Sequence, residues 1–326
     1  MVSFLKSRRK FHMKIKVLCR WSLIVIVGCV FATAQQVRRC AGPFSSVLVN
    51  WAKFHSDVCN TGYNPNEFVL SPSTVGKLSV KWEYTTGFPI ESSPAVANGV
   101  VYIGSGDSNV YALDARSGAL VWKYPTDGGV NSSPAVANGV VYVGSDEGNG
   151  TESALNALDA STGTLLWKYQ NGFSSFTSPA VTNGVVYIGS GDSNVYALNA
   201  TDGSLKWNYQ TGFGGGVRSS AAVANGIVYI GSDDGNVYAL NATTGAFLWK
   251  YTAETRIGPP SPAVANGVVY AGSFDGNLYA LNASTGELLW KYAAGVDHSS
   301  PAVANGMVYI GGGYPDNVYA FHLPDQ

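Results

Sequence analysis

Four side chains of different chemistry sit at one point of a repeated unit. Glu91, Asn131, Arg218 and His298 each come directly before a segment of the type Ser-Ser-Pro-Ala, and the two remaining copies carry Phe176 and Pro259 there. A carboxylate, an amide, a guanidinium and an imidazole on one rim could hold a small polar ligand or a partner's peptide. Blade order would put His298 beside Glu91 at a channel mouth, with Arg218 facing Glu91 from the opposite side. Six equivalent positions carry six different residues beside strands that are near copies; drift of unconstrained loops gives the same pattern.

The other chemical groupings are weaker. Asp107, Asp192, Asp234, Asp275 and Asp316, joined by Glu147, recur at one hairpin of each unit. Asp233-Asp234-Gly235-Asn236 lacks the twelve-residue spacing and terminal glutamate of a calcium loop, so turn chemistry accounts for it. Asp297-His298-Ser299 is contiguous, and adjacent strand residues point to opposite faces, which excludes a triad. His12, His55, His298 and His322 have no zinc-ligand spacing. No catalytic residue and no metal ligand is assigned.

The elements that position these residues come from the repeat itself. Units start at Ser92, Ser132, Thr177, Ser219, Pro260 and Ser299, 39 to 45 residues apart, the length of one propeller blade. Within a unit, Ser-Pro-Ala-Val reads as a first strand, Asn-Gly as a tight hairpin turn, and two further turns separate three more strands. Each unit is a four-stranded antiparallel meander. The spacing Ala112-x-Asp114-x-x-x-Gly118-x-x-x-Trp122 recurs to Trp167, Trp207, Trp249 and Trp290, with Trp82 upstream. These six indoles are expected to dock between adjacent blades near the third-to-fourth-strand turn.

The expected fold is therefore all-β: a single β-propeller of six four-stranded blades. Seven blades would require residues 44–77 to form a degenerate one. The sixth copy stops at residues 320–324 without a fourth strand or tryptophan, while residues 78–84 match an outer strand alone. That segment is expected to join the last blade and shut the ring, leaving no bare sheet edge. The propeller then spans 78–326, after an extension or clasp over 35–77. In the extension, His55 and Asp57 read as part of a surface clasp.

Residues 1–34 read as an export leader: seven Lys and Arg precede the apolar run 21–31, and Ala32-Thr33-Ala34 is a small-x-small site. Three fates are open to it: cleavage after Ala34, acylation of Cys29 as a lipoprotein, or retention as an anchor. The protein is expected to be periplasmic or extracellular, touching a membrane only through such an anchor. Without the leader, 13 basic residues face 21 acidic ones, a net charge of −8. Nucleic acid is excluded as a partner for want of a basic face. In an oxidising compartment Cys40 and Cys59 either pair or remain two thiols.

The repeated Val-Tyr-Ala-Leu-Asx-Ala-x-x-Gly-x-x-x-Trp, with Asn60-Thr61-Gly62-Tyr63-Asn64-Pro65 and residues 73–78, resembles the PQQ-binding-like β-propeller repeat proteins. That superfamily contains the quinoprotein alcohol dehydrogenases and the propeller lipoprotein of the outer-membrane barrel-assembly machinery. For its enzyme branch the resemblance implies pyrroloquinoline quinone over a calcium ion, a catalytic aspartate and usually eight blades. Many members also carry a vicinal Cys-Cys or a Cys-x-x-Cys-His. This sequence has neither cysteine motif, and no residue carries over as a quinone or calcium ligand. The expectation is a monomeric, non-enzymatic scaffold holding a protein or peptide partner at a rim, without cofactor. The alternative is a PQQ-dependent alcohol or sugar dehydrogenase.

Overall fold

An Asn-Gly pair opens the first hairpin of every unit, and both residues take positive φ: 52° and 80° at Asn98 and Gly99, with similar values at the five other copies. The turn's twist matches that of the strands it joins, so the hairpin forms from local preference alone. A computed structural model describes residues 53, 57, 70, 73, 75–147, 152–171, 177–212, 215–313 and 317–323. The leader, Cys29, Cys40, Cys59, His55 and Phe176 lie outside them, as do Asp316 and the question of a blade over 44–77.

The first blade is the order β1 (Ala95–Ala97), β2 (Val100–Ser105), β3 (Asn109–Asp114) and β4 (Leu120–Pro125), each antiparallel to the next. Four more four-stranded meanders follow within 135–171, 180–210, 222–252 and 263–296. In all five, a bulge shifts the outer register one step after the pair formed by alanine and tryptophan, as at Ala112↔Trp122 followed by Leu113↔Leu120. The bulge turns the indole out of its own sheet, toward the next blade.

There the indole meets a fixed seat. Trp122 Nε1 donates to the carbonyl of Ala160 at 2.9 Å, Trp167 to Ala200 at 3.1 Å, Trp207 to Ala242 at 3.0 Å and Trp249 to Ala283 at 3.0 Å. The same carbonyls accept the hydroxyls of Tyr102, Tyr142, Tyr187 and Tyr229, each at 3.0 Å. The ring lies on the turn glycine of the next blade. A Cβ on Gly245, at φ 72°, would stand 2.7 Å from Trp207. Glycine is required there twice over, by conformation and by space. An indole burying about 150–250 Å² contributes at most about 4–6 kcal/mol gross.

The Ser-Ser pair ties the inner strands. In the first blade the first hydroxyl bridges its own blade: Ser92 Oγ accepts from Gly104 N at 2.9 Å and donates to Gly104 O at 2.8 Å, whereas Ser132 Oγ accepts from Gly144 N at 3.2 Å and donates to Thr177 O of the next blade at 3.1 Å. The second links neighbours: Ser93 N donates to Ser133 Oγ, Ser133 N to Ser178 Oγ, Ser178 N to Ser220 Oγ, Ser220 N to Ser261 Oγ and Ser261 N to Ser300 Oγ, all at 2.8–3.0 Å. Side chains from facing sheets fill the space between blades, as where Tyr187, Val195 and Trp207 pack on Val228, Ile230 and Leu240.

The described residues do not show the expected closure. The sixth sheet has three strands, Ala302–Ala304, Met307–Gly311 and Val318–Phe321, and among the described residues none joins 78–84 to it. Those residues form no strand, although Trp82 donates to Ala115 O at 3.1 Å as an outer-strand indole would. Every other outer strand is held in register by a short hairpin from its own blade. Residues 78–84 have no such hairpin and precede the first blade.

Candidate functional site

Each blade has two ends. One, the docking face, carries the Asn-Gly turns and the tryptophan seats. The other, the loop face, carries the second hairpin and the loop that leads to the next blade. On the loop face the hairpin aspartates tie those two parts together. Asp107 accepts from Tyr111 Oη at 2.6 Å and from Gly87 N at 2.7 Å; Asp234 accepts from Tyr238 Oη at 2.5 Å and Gly212 N at 2.7 Å. Asp275 accepts from Tyr279 Oη at 2.7 Å and Glu254 N at 3.2 Å, and Asp192 accepts from Tyr196 Oη. Burial works to raise the carboxyls of Asp107, Asp234 and Asp275, but the hydrogen bonds outweigh it and hold all three below the ordinary aspartate range. These acids brace loops.

The diverged positions stand above this brace. Glu91 is exposed and Asn131 half-buried. Arg218 is half-exposed and pairs through Nε with Asp233 Oδ2 at 3.1 Å; Asp233 is nearly buried, and its Oδ1 has no hydrogen-bond partner among the described residues. His298 pairs through Nδ1 with Asp297 Oδ2 at 3.0 Å and sets its ring edge-on to Phe274, 5.2 Å between centroids. The Arg256 guanidinium lies 4.2 Å from the centre of that same ring. Thus Arg218 and His298 make their contacts with Asp233, Asp297 and Phe274, and no ion pair joins either to Glu91 among the described residues.

Asp233, Arg256 and Phe274 were missed by reading only the residue before each Ser-Ser start. The position before the hairpin aspartate carries the signal: it is Gly106, Gly191, Asp233 and Phe274 in four copies, and it diverges where it meets Arg218 and His298. The second blade differs again. Its hairpin lacks the tyrosine, and Asn156 Nδ2 donates instead to Ser145 Oγ at 2.9 Å. Lys168 Nζ bridges Asp127 Oδ2 and Glu147 Oε2, each at 2.8 Å, and Glu147 is buried. Burial and the Glu147 charge raise the Asp146 carboxyl. The loop face is therefore acidic at blade 2, while blades 4 to 6 present two guanidiniums, an imidazole and an aromatic ring.

These donors do not fit the quinone-bound calcium of the enzyme branch. Among the described residues no three His, Cys, Asp or Glu side chains converge as a metal site, and Asp107, Asp192, Asp234 and Asp275 are already engaged by the tyrosines of their own hairpins. No helix among the described residues is long and apolar enough to cross a membrane.

The fold and the repeated indole seat define a PQQ-like β-propeller. The family described as outer membrane protein assembly factor BamB matches residues 73–214 and 209–321, more than half of the chain, and the protein belongs to that family. No match is found among the curated proteins. Among solved structures, BamB from Moraxella catarrhalis is similar at 21% identity and a TM-score of 0.64, over 76% of this chain and 78% of that one. The quinohemoprotein alcohol dehydrogenase ADHIIG from Pseudomonas putida HK5 is similar at 23% identity and TM-score 0.68, over 85% of this chain and 58% of that one. The corresponding enzyme from Comamonas testosteroni gives 19% and 0.69, over 80% and 57%. The chain spans little more than half the length of either dehydrogenase, and at these identities the likeness is one of fold.

Proposed function

We propose that this protein is an exported, non-enzymatic propeller that holds a protein or peptide partner of the cell envelope on its loop face, as an assembly scaffold. Membership of the BamB family supports an envelope role in assembly. The observation that carries the reading is the contrast within each blade: the docking face repeats the same atoms, while the loop face carries the diverged Glu91, Asn131, Arg218 and His298, the last with Phe274 and Arg256 beside it. Half-exposed arginines against aromatic rings are the side chains that dominate protein recognition. An acidic cluster at blade 2 and an aromatic sector of paired arginine and histidine at blades 4 to 6 would give a partner one orientation.

The test is capture of partners from an envelope extract by the wild type and by the double variant Glu91→Ala, Arg218→Ala. Loss of the captured partner in a variant that melts like the wild type supports the loop face; undiminished capture removes it. Adding pyrroloquinoline quinone and calcium, then following quinone absorbance and dye reduction with alcohols and sugars, tests the enzyme reading. No reduction above the protein-free control is expected.

A further inference from the structure

At the joint between two blades a charge pair can span neighbouring outer strands. The residue after each docking tryptophan is Lys123, Lys168, Asn208, Lys250 or Lys291, and the residue three after the outer-strand tyrosine of the preceding unit is in turn Gly87, Asp127, Gly172, Gly212 or Glu254. Lys168 meets Asp127 at 2.8 Å and Lys291 meets Glu254 at 3.5 Å. Between the second and third blades both charges are missing, Gly172 being matched by Asn208. Lys250 departs from this: Gly212 stands where the acid would be, and the exposed ammonium has no ion-pair partner among the described residues.

Beside that lysine the joint is open. A cleft of about 320 Å³ has Tyr209, Gln210, Gly212, Tyr238, Phe247 and Lys250 among its walls. Tyr209 and Phe247 lie near parallel, 17° between planes and 6.3 Å between centroids, and Phe247 is 48% exposed. Leucine holds the Phe247 position in the four other copies, at Leu120, Leu165, Leu205 and Leu288. Lys123 also faces a glycine, Gly87, but beside Leu120, so lone cation and ring pair coincide only here among the described residues. Gly212 N and Tyr238 Oη are both committed to Asp234. The Lys250 ammonium, the Gln210 amide and the Tyr209 hydroxyl make no side-chain hydrogen bond among the described residues. Burial and the Asp234 charge raise the Tyr209 hydroxyl, which stays protonated and both donates and accepts.

We infer that this cleft is a subsite for an acidic sugar, a pyranose bearing a carboxylate. The carboxylate takes the place against Lys250 that Asp127 and Glu254 hold against Lys168 and Lys291. The C–H face of the sugar lies against the exposed Phe247 ring, whose electron-rich face attracts it. Its hydroxyls exchange hydrogen bonds with Gln210 and Tyr209 Oη, the few polar groups that orient a ligand on an apolar wall. A neutral sugar leaves the ammonium unanswered, and an aromatic carboxylate leaves the amide and hydroxyl unanswered. The subsite shares no residue with Glu91, Asn131, Arg218 and His298, so it stands or falls separately from the partner surface proposed above.

The experiment titrates the full chain with D-glucuronate and follows saturation-transfer difference NMR. Saturable transfer with a Kd of about 1 mM is expected, strongest at the ring C–H protons. Phe247→Leu and Lys250→Asn each install the side chain of a sister blade, so both should melt like the wild type while weakening binding about tenfold or more. Lys123→Asn should leave it unchanged. Glucose and benzoate should each bind about tenfold more weakly than glucuronate. Glucuronate binding undiminished in either Phe247→Leu or Lys250→Asn would overturn the subsite. So would glucose or benzoate binding as tightly as glucuronate, or no saturable transfer at ten times the expected Kd.

Discussion

The two ends of a blade obey opposite rules. On the docking face, the indole, turn glycine and alanine carbonyl recur with the same geometry at four consecutive joints, from Trp122 on Ala160 to Trp249 on Ala283. On the loop face, equivalent positions hold Glu91, Asn131, Arg218 and His298, and the hairpins beside them hold Gly106, Glu147, Asp233 and Phe274. The difference shows where a substitution has structural consequences. A docking residue touches a neighbouring sheet and has one acceptable shape; a loop-face residue sits on a brace that Asp107, Asp234 and Asp275 hold regardless of it.

The largest effect that could break this contrast lies at an inner joint. Trp207→Ala should destabilise by about 3–5 kcal/mol through cavity and lost seat, while Trp290→Ala, at a half-exposed ring, should cost about 1–2 kcal/mol. Denaturant midpoints of the two variants check this, and equal losses would contradict the docking account. Next comes Gly245→Ala, which forces a Cβ at positive φ into Trp207 and should cost about 2–4 kcal/mol by the same measurement.

A smaller effect concerns the brace. Because the folded carboxyls of Asp107, Asp234 and Asp275 titrate below the ordinary range, their contribution is complete above about pH 4 and is lost as pH falls through the depressed values. Melting temperature should therefore drop on acidification below pH 4, and Asp234→Asn should lessen that drop. Smallest in stability is Glu91→Ala, at an exposed position, expected within about 0.5 kcal/mol of wild type by thermal melting. A large loss there would show the loop face to be structural and erase the contrast.

Strand order, the Asn-Gly turns and the blade count were legible in the sequence because each depends on short-range chemistry repeated six times. The state of the sixth sheet was not. Residues 78–84 have the outer-strand pattern, but pattern alone does not pair them with a sheet. The Ser-Ser pair was visible as a motif, yet the bond of its second hydroxyl to the neighbouring blade needs coordinates. The loop face was half legible: Arg218 and His298 stood out by position, whereas Asp233, Arg256 and Phe274 join them only through space.

The serine ladder carries a consequence for how such a molecule comes into being. Each blade brings both halves of the bond, a backbone N–H for one neighbour and a hydroxyl for the other, so a duplicated stretch of gene would deliver a unit whose two junctions are prefabricated. Length in this architecture can change by whole modules whose junctions are already matched.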